Sequence, residues 1–397
     1  MKGFTNENIN FDILRQRAFN MRWAEQEKDV IPLTAADHDF PAAPEIVQTL
    51  QDYIKEGYFT YTPHRGVDSF KQAVAKSMKE RKNEDVNPDF VLPVDSAARG
   101  MDIIANAFLQ PGDEVLVFDP VDFLFRTSME HAGAKVNLFP SNLKEDCISL
   151  EHIEEYITPE TKMVGLCNPH NPLGMLYKKS ELEYLLDLSE KYGFYIMNDE
   201  IWSDMIYPDA EFHSLLEFGP ERNARTLSVY GFSKTFGLAG LRIGCIYVSN
   251  QEVFDRIIAA SMVDTTIGGV DILSQVAGQA ALEKAFYRVD EFIQQITENR
   301  DYALGRLNSM PGIKCHKPQA TFVLFPDITG TGMDAVDLVE LLKEKYRVAL
   351  VPGGARFFGP GSEGHIRICM STSHEVLAEG LDRLEKCLND IARRKDE

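Results

Sequence analysis

The chain has 397 residues, of which 44% are hydrophobic and 26% charged, which is enough for a large buried core and predicts two domains. A formal net charge of −20 at pH 7 argues against a nucleic-acid-binding surface and against an anionic membrane. No segment reads as a signal peptide or a membrane-spanning helix, so we expect a cytoplasmic protein. The six scattered cysteines and nine unclustered histidines predict reduced thiols and no metal site.

Helices and strands alternate through the first half of the chain. An amphipathic segment at 11–23 precedes predicted helices at 45–55, 67–81 and 101–109 and predicted strands at 114–118 and 161–166. Gly57 is placed to end the first of these helices, and an aromatic loop at 58–61 follows it. Strands that alternate with helices favour a mainly parallel sheet with helices on both of its faces. We therefore predict an α/β fold.

A lysine lies in the most unusual segment of the middle of the chain. A helix is predicted at 181–191 and a strand at 194–197, and apolar runs follow at 227–230 and 243–248. The segment between the two apolar runs is a small-residue loop that places Lys234 at the mouth of the sheet. Lysine among glycines and apolar residues, with Arg242 nearby, should lose its proton more easily than a free lysine. A neutral amine can form a Schiff base with a carbonyl compound, whereas the alternative is a solvated loop lysine.

The C-terminal part of the chain has a different pattern. Predicted helices cover 251–263 and 271–308, the second broken near Phe286, and strands at 321–325, 348–351 and 366–370 follow with helices at 335–346 and 373–392. We expect the charged tail, 392–397, to fray. These elements predict a smaller α+β domain, made of residues 1–40 and 286–397, beside a large domain at 41–285.

Several polar residues have both a structural and a functional interpretation. The small residues 96–98 open a helix, where they could hold a phosphate or could simply cap the helix. Asp199 follows an apolar strand at the sheet edge where α/β enzymes bind ligands, but a solvated carboxylate is equally possible there. Arg367 lies inside an apolar strand, which is costly unless an ion pair or a ligand balances its charge.

The segment GFSKTFGLAGLRIG at 231–244 resembles the lysine segment of the class I/II aminotransferase family, which are fold-type I enzymes that use pyridoxal 5'-phosphate (PLP). The resemblance continues in chain order through NPHNPLG at 168–174 and NDEIW at 198–202. It implies a large PLP-binding domain with a mainly parallel sheet and a smaller α+β domain. It also implies PLP as the cofactor and a homodimer as the functional state.

The resemblance assigns a role to individual residues. Lys234 would be the catalytic residue that holds PLP as a Schiff base, and Asp199 would pair with the pyridine nitrogen. The other residues that would contact the cofactor are Ser96, Ala97, Ala98, Phe123, Asn171, Trp202, Ser233, Arg242 and, from the partner subunit of the dimer, Tyr61. The substrate carboxylate would be bound by Ala36, Asn171 and Arg367.

Two positions depart from the family pattern. Ser96 stands where glycine is common, and Trp202 stands where tyrosine or histidine is usual. The indole N–H of Trp202 could donate a hydrogen bond but could not accept a proton.

Three functions follow from the resemblance. The preferred one is an aminotransferase that moves an amino group from an L-amino acid to a 2-oxo acid. The ADHDF segment at 36–40 is closer to the cystathionine β-lyase (MalY/PatB) branch, which favours a C–S lyase that releases pyruvate, ammonia and a thiol. A non-catalytic effector domain is the third alternative, although the acidic charge disfavours DNA binding. The sequence does not identify the amino acid substrate.

Overall fold

The computed structural model describes residues 3–144, 147–265 and 267–396. Their backbone forms two compact units. The first unit runs to Pro41 and also contains Asn171–Gly174 and the residues from Asp290 onward. The second unit contains Ala42–His170 and Met175–Val289. The sequence-based division gave no part of 168–174 to the small domain, whereas Asn171–Gly174 groups with the first unit.

The strands are numbered in chain order. They are β1 (Ile31–Pro32), β2 (Val91–Val94), β3 (Glu114–Asp119), β4 (Lys135–Pro140), β5 (Leu143–Lys144), β6 (Cys147–Ile148), β7 (Thr161–Cys167), β8 (Tyr195–Asp199), β9 (Thr226–Gly231), β10 (Gly244–Tyr247), β11 (Val323–Leu324), β12 (Val348–Ala349), β13 (Val351–Pro352) and β14 (Ile366–Cys369).

The α-helices are numbered in the same way. They are α1 (Phe11–Arg17), α2 (Pro44–Glu56), α3 (Asp68–Lys82), α4 (Ala97–Phe108), α5 (Phe123–His131), α6 (Lys179–Tyr192), α7 (Phe232–Phe236), α8 (Gln251–Ser261), α9 (Ile272–Lys284), α10 (Phe286–Leu307), α11 (Ala335–Leu341) and α12 (His374–Asp396).

The second unit is built on a seven-stranded sheet with the order β2-β10-β9-β8-β7-β3-β4. Only β10 runs antiparallel to its neighbours, and the other strands all point the same way. The central strands are buried on both faces, as in β9, where every residue is buried. Strands with apolar residues on both faces are typical of a parallel sheet covered by helices. The predicted α/β fold is confirmed.

Helix ends follow the predicted turn residues in this unit. Gly57 ends α2 and Gly193 ends α6, with φ of 75° and 79°. This left-handed backbone is strained for residues with a Cβ atom, which explains the glycines. The predicted break in the long helical pattern is confirmed, because α9 ends at Lys284 and α10 begins at Phe286.

The first unit contains a three-stranded antiparallel sheet, β11-β14-β13, and a two-stranded parallel pair, β1-β12. Its hydrophobic core joins Trp23, the apolar face of α12 and the strand residues Ile366 and Ile368. The predicted helix 335–346 is confirmed in its extent, and its last part, Leu342–Tyr346, is a π-helix that follows α11. One prediction was wrong here. The tail expected to fray from 392 is helical through Asp396.

Three further features bear on the classes of protein considered above. Among the described helices, none combines the length and the apolar character needed to cross a bilayer. All six cysteines are buried thiols and form no disulfides. Within the described part of the chain, no group of histidine, cysteine and acidic side chains is arranged to hold a metal ion.

Candidate active site

The candidate residues of the second unit lie at one edge of the central sheet. Asp199 is the last residue of β8, Lys234 follows the end of β9, and Ser96 follows the end of β2. These three strands point in the same direction, so their carboxyl ends share one edge. This edge is where open α/β sheets bind ligands. The topology therefore brings together residues that are far apart in the sequence.

The sequence predicts a loop around Lys234, but the residue lies in the one-turn helix α7. Its side chain is half-buried, and its Nζ atom lies 5.6 Å from the ring centroid of Trp202. A cation over an indole face at this distance is an attractive contact.

Asp199 is buried, with 6% of its surface exposed, and Ile201 N–H donates a hydrogen bond to its Oδ1 atom over 3.0 Å. Burial, together with the nearby Asp122 and Glu200 carboxyls, raises the pKa of Asp199 from 3.8 to about 7. The Ile201 N–H and the charge of Lys234 oppose this rise in pKa. The structure therefore places a carboxyl that titrates near neutrality close to the amine of Lys234.

Gly231 lies where three segments of the site meet. A Cβ atom at this position would come within 2.9 Å of Ile201 Cδ1 and 3.3 Å of Ala97 Cβ. The end of β9, the turn after Asp199 and the start of α4 therefore approach each other more closely than a larger residue would allow. The absence of a side chain at Gly231 therefore allows Lys234, Asp199 and the N-terminus of α4 to lie close together.

The start of α4 has the features of an anion cradle. Ser96 is the N-cap residue, its Oγ atom accepts from Arg99 N–H at 3.1 Å, and the first turn begins with Ala97 and Ala98. A Cβ atom at Gly244 would lie 3.0 Å from the nitrogen of Ala97, so β10 passes directly beside this turn. The first backbone N–H groups of a helix attract phosphate through their donors and the helix dipole.

Arg242 lies beside this helix start, since its Nη2 atom is 3.8 Å from Asp95 Oδ1. Ser96 Oγ donates to the same carboxylate oxygen over 3.0 Å. The Arg242 side chain is largely exposed, so its guanidinium is accessible from solvent.

Phe123, Ser233 and Tyr61 differ in their surroundings. Phe123 is the first residue of α5 and is 40% exposed, so it is not a core residue. Ser233 is half-buried in α7 next to Lys234. Tyr61 is 92% exposed in the aromatic loop, where Tyr58 and Phe59 are exposed as well. Tyr61 adds nothing to the core of its own chain.

The first unit brings Ala36, Asn171 and Arg367 together. Arg367 is buried on β14, its Nη1 atom donates to Asn171 Oδ1 over 3.3 Å, and its guanidinium lies 5.0 Å from the ring centroid of Phe358. The segment that contains Ala36 is bonded to this strand at both ends, by Cys369 N–H to Leu33 O and by Asp39 N–H to Ser371 O.

A buried ion pair that the sequence did not reveal supports the Ala36 segment. Arg22 and Asp39 form a close ion pair, and Trp23 Nε1 donates to the same Asp39 oxygen over 2.6 Å. Arg22 also donates to the carbonyl of Ala35 over 3.3 Å. An arginine and an aspartate 17 positions apart carry no local signal of pairing.

A second buried group of charges, which we call the Lys82 cluster, contains Lys82, Glu84 and Glu200. Lys82 Nζ lies 2.9 Å from Glu200 Oε2 and 3.6 Å from Glu84 Oε1. Burial would lower the pKa of Lys82, but the two carboxyls raise it overall. Burial raises the pKa of Glu84 well above its ordinary value, while Lys82 keeps that of Glu200 low. The sequence alone does not reveal this cluster, because Lys82 and Glu200 are 118 positions apart.

The fold and these residues agree with the family to which the chain belongs. Residues 28–384 match the family model for class I and II aminotransferases, so the chain is a member of that family.

Individual relatives support the same assignment. The chain is 33% identical to aspartate aminotransferase of Pyrococcus horikoshii over 92% of both chains. It is 34% identical to aspartate aminotransferase of Thermotoga maritima, over 91% of this chain and 92% of that one, and the solved Thermotoga structure gives a TM-score of 0.81. Cystalysin of Treponema denticola, solved with pyridoxal 5'-phosphate, gives a TM-score of 0.90 at 25% identity and covers 98% of this chain and all of that one.

The chain is therefore a PLP-dependent aminotransferase of fold type I. Its substrates are small molecules, an amino acid and a 2-oxo acid. The relatives favour amino transfer over the C–S lyase alternative. They also show that the chain is an enzyme and not a non-catalytic effector domain.

Proposed function

We propose that the sheet edge of the second unit holds PLP, with Lys234 as the residue that binds it covalently. Asp199 is the observation that carries this proposal. A carboxyl whose pKa is raised to about 7 is fully ionised at neutral pH only when a positive partner compensates its charge, and a protonated pyridine nitrogen is such a partner. The N-terminus of α4 with Ser96, Ala97 and Ala98 provides donors suited to the phosphate. The residues present thus fit both charged ends of the cofactor.

The remaining contacts complete this arrangement. Arg242 and Ser233 would bind the phosphate, and Phe123, exposed at the start of α5, would stack on the ring. Trp202 and Asn171 would donate hydrogen bonds to the phenolic oxygen of the ring.

The chain's own residues carry the proton transfers. PLP, when bound, supplies an aldehyde that condenses with amines and a ring that withdraws electrons from the substrate carbon. The amine of Lys234, when it is not bonded to the cofactor, would serve as the base that takes the α-proton of the substrate and as the acid that gives it back. Asp199 would keep a proton on the ring nitrogen. Burial of Asp199 limits its contact with water, which strengthens its electrostatic interactions.

Arg367 would bind the α-carboxylate of the substrate through two parallel N–H donors, together with Ala36 and Asn171. The hydrogen bond from Arg367 to Asn171 holds both side chains in place before a substrate arrives. Because two relatives are named aspartate aminotransferases, aspartate is the first amino donor to test.

We also propose a homodimer in which Tyr61 reaches the partner's cofactor phosphate. The exposed rings of Tyr58, Phe59 and Tyr61 are unusual for a monomer surface and suit an interface. The buried thiols agree with a reducing compartment, and we propose a cytoplasmic location.

Replacement of the lysine tests the covalent role. Purified Lys234→Ala protein, incubated with PLP, a 2-oxo acid and a panel of amino acids that includes aspartate and cystathionine, should lose amino transfer by roughly 10²–10⁴-fold. Lys234→Arg keeps the charge without the nucleophile and should be equally inactive. Lys179→Ala, at an exposed position on α6, is the control. Wild-type rates in the first two variants would refute the proposal.

Hybrid dimers test whether Tyr61 acts across the interface. Lys234→Ala and Tyr61→Ala subunits, mixed after reversible dissociation, form mixed dimers with one subunit of each kind. If Tyr61 acts in the partner's site, one site has both defects, the other site is intact and activity returns. If it acts within its own chain, the mixture stays as inactive as the two separate variants.

A further inference from the structure

The carboxylate of Asp204 is the meeting point of three side chains from three elements. Its Oδ2 atom accepts hydrogen bonds from Tyr230 OH at 2.6 Å and from Thr235 Oγ1 at 3.2 Å. Its Oδ1 atom lies 3.4 Å from Arg81 Nε. The carboxylate is almost wholly buried, with 3% of its side chain exposed. A buried charge that accepts several bonds is expensive to move, so it fixes the groups around it.

Two of these partners lie on either side of the catalytic lysine. Tyr230 is the last residue but one of β9, and Thr235 directly follows Lys234 in α7. Tyr230 OH also lies 3.4 Å from Thr235 Oγ1, so the two hydroxyls and the carboxylate form a triangle. A five-residue helix has little hydrogen bonding of its own. The triangle therefore determines how α7 is rotated and where the Lys234 side chain starts.

Asp204 also belongs to the turn that carries the other half of the site. It lies two residues after Trp202, and Lys82 holds the same turn by donating to Ser203 Oγ over 3.0 Å and to Glu200. Arg81 and Lys82 are consecutive residues at the end of α3. Arg81 contacts Asp204 and Lys82 contacts Glu200, and these two acidic residues lie on either side of Trp202 in the sequence.

We propose that Asp204 is a positioning residue that locks the Lys234 helix to the turn bearing Asp199 and Trp202. The inference deepens the proposed function and rests on it, because it concerns how the amine of Lys234 is held toward PLP. Thr235 transmits the effect of Asp204 to the lysine. Loss of the Thr235 hydroxyl should therefore loosen the amine without altering any group that contacts the cofactor.

Three threonine variants test the proposal. Thr235→Val keeps the shape of the side chain but removes its hydroxyl, whereas Thr235→Ser keeps the hydroxyl. Thr226→Val is the matched control, since Thr226 is buried on β9 and its Oγ1 atom has no hydrogen-bond partner among the described residues. The readouts are the dissociation constant of PLP and the pH titration of the absorbance of the cofactor attached to Lys234. Unfolding of the PLP-free protein is measured in parallel.

We expect Thr235→Val to bind PLP about tenfold more weakly and to shift the midpoint of the absorbance titration, as the loss of a charge-assisted hydrogen bond implies. Thr235→Ser should restore both values, and Thr226→Val should change neither. Asp204→Asn should weaken PLP binding at least as much. Wild-type PLP binding and titration in Thr235→Val would overturn the proposal, even if that variant unfolds more easily. Failure of the wild-type protein to bind PLP would instead refute the proposed function.

Discussion

Asp199→Asn should stabilise the PLP-free protein at pH 8 while it abolishes amino transfer. The folded protein raises the pKa of Asp199 from 3.8 to about 7, chiefly through burial. Between these two values the folded state keeps a proton that the unfolded chain has lost, so stability falls as the pH rises. One pKa unit corresponds to about 1.4 kcal/mol, and the carboxyl therefore costs about 4 kcal/mol above pH 7. Asparagine, which stays neutral, avoids that cost.

The pH dependence provides the decisive measurement. Urea unfolding of PLP-free wild type and Asp199→Asn at pH 6 and pH 8 should show that the variant's advantage grows by about 1.4 kcal/mol over this range. Asp187→Asn, at an exposed position on α6, should show no such change. Saturation with PLP should stabilise the wild type more than the variant, because only the wild type has a carboxylate for the ring nitrogen. An equal advantage at both pH values would mean that Asp199 is ionised throughout, and the argument from burial would fail.

Three other substitutions follow from packing and charge. Gly244→Ala should unfold more easily in thermal melts and release PLP faster in dialysis, since its Cβ atom would press on the start of α4. Gly240→Ala is the control and should match the wild type in both measurements, because a Cβ atom there has nothing within 4 Å. Arg367→Lys should raise KM for both substrates about tenfold or more in steady-state assays, because lysine cannot form two parallel bonds; an unchanged KM would contradict the carboxylate role. Arg22→Met should cost about 3–5 kcal/mol in urea unfolding by leaving Asp39 buried without its ion pair, and a loss below about 1 kcal/mol would show that the pair is dispensable.

Local patterns predicted most of the elements that a single segment can specify. Helix α2 with its glycine stop at Gly57 and the break between α9 and α10 were visible because apolar spacing and turn residues act over a few positions. The helical state of Lys234 was not visible, because one turn is too short for a periodic signal. The end of α12 was misjudged because its charges suggested a frayed tail. Basic residues such as Arg393 in a last turn also favour the helix dipole.

The site was predicted less evenly than the fold. The lysine, the strand-end carboxyl and the arginine in β14 stood out because their residue type conflicts with their apolar setting. The partners of these groups did not stand out, since contacts such as that of Lys82 with Glu200 span 118 positions. Nor does any sequence pattern show that Asp204 is bonded to Thr235. Such pairings exist only once the sheet has brought distant segments to one edge.

The Lys82 cluster has a consequence for the ionic conditions that the enzyme tolerates. Lys82, Glu84 and Glu200 are all buried, and Lys82 Nζ lies within 3.6 Å of a carboxylate oxygen of each glutamate. Dissolved counter-ions screen exposed pairs such as Arg65 with Asp264, but they do not reach charges sealed inside the protein. The Lys82 cluster should therefore keep its structure at high salt concentration, at which exposed ion pairs no longer contribute to stability.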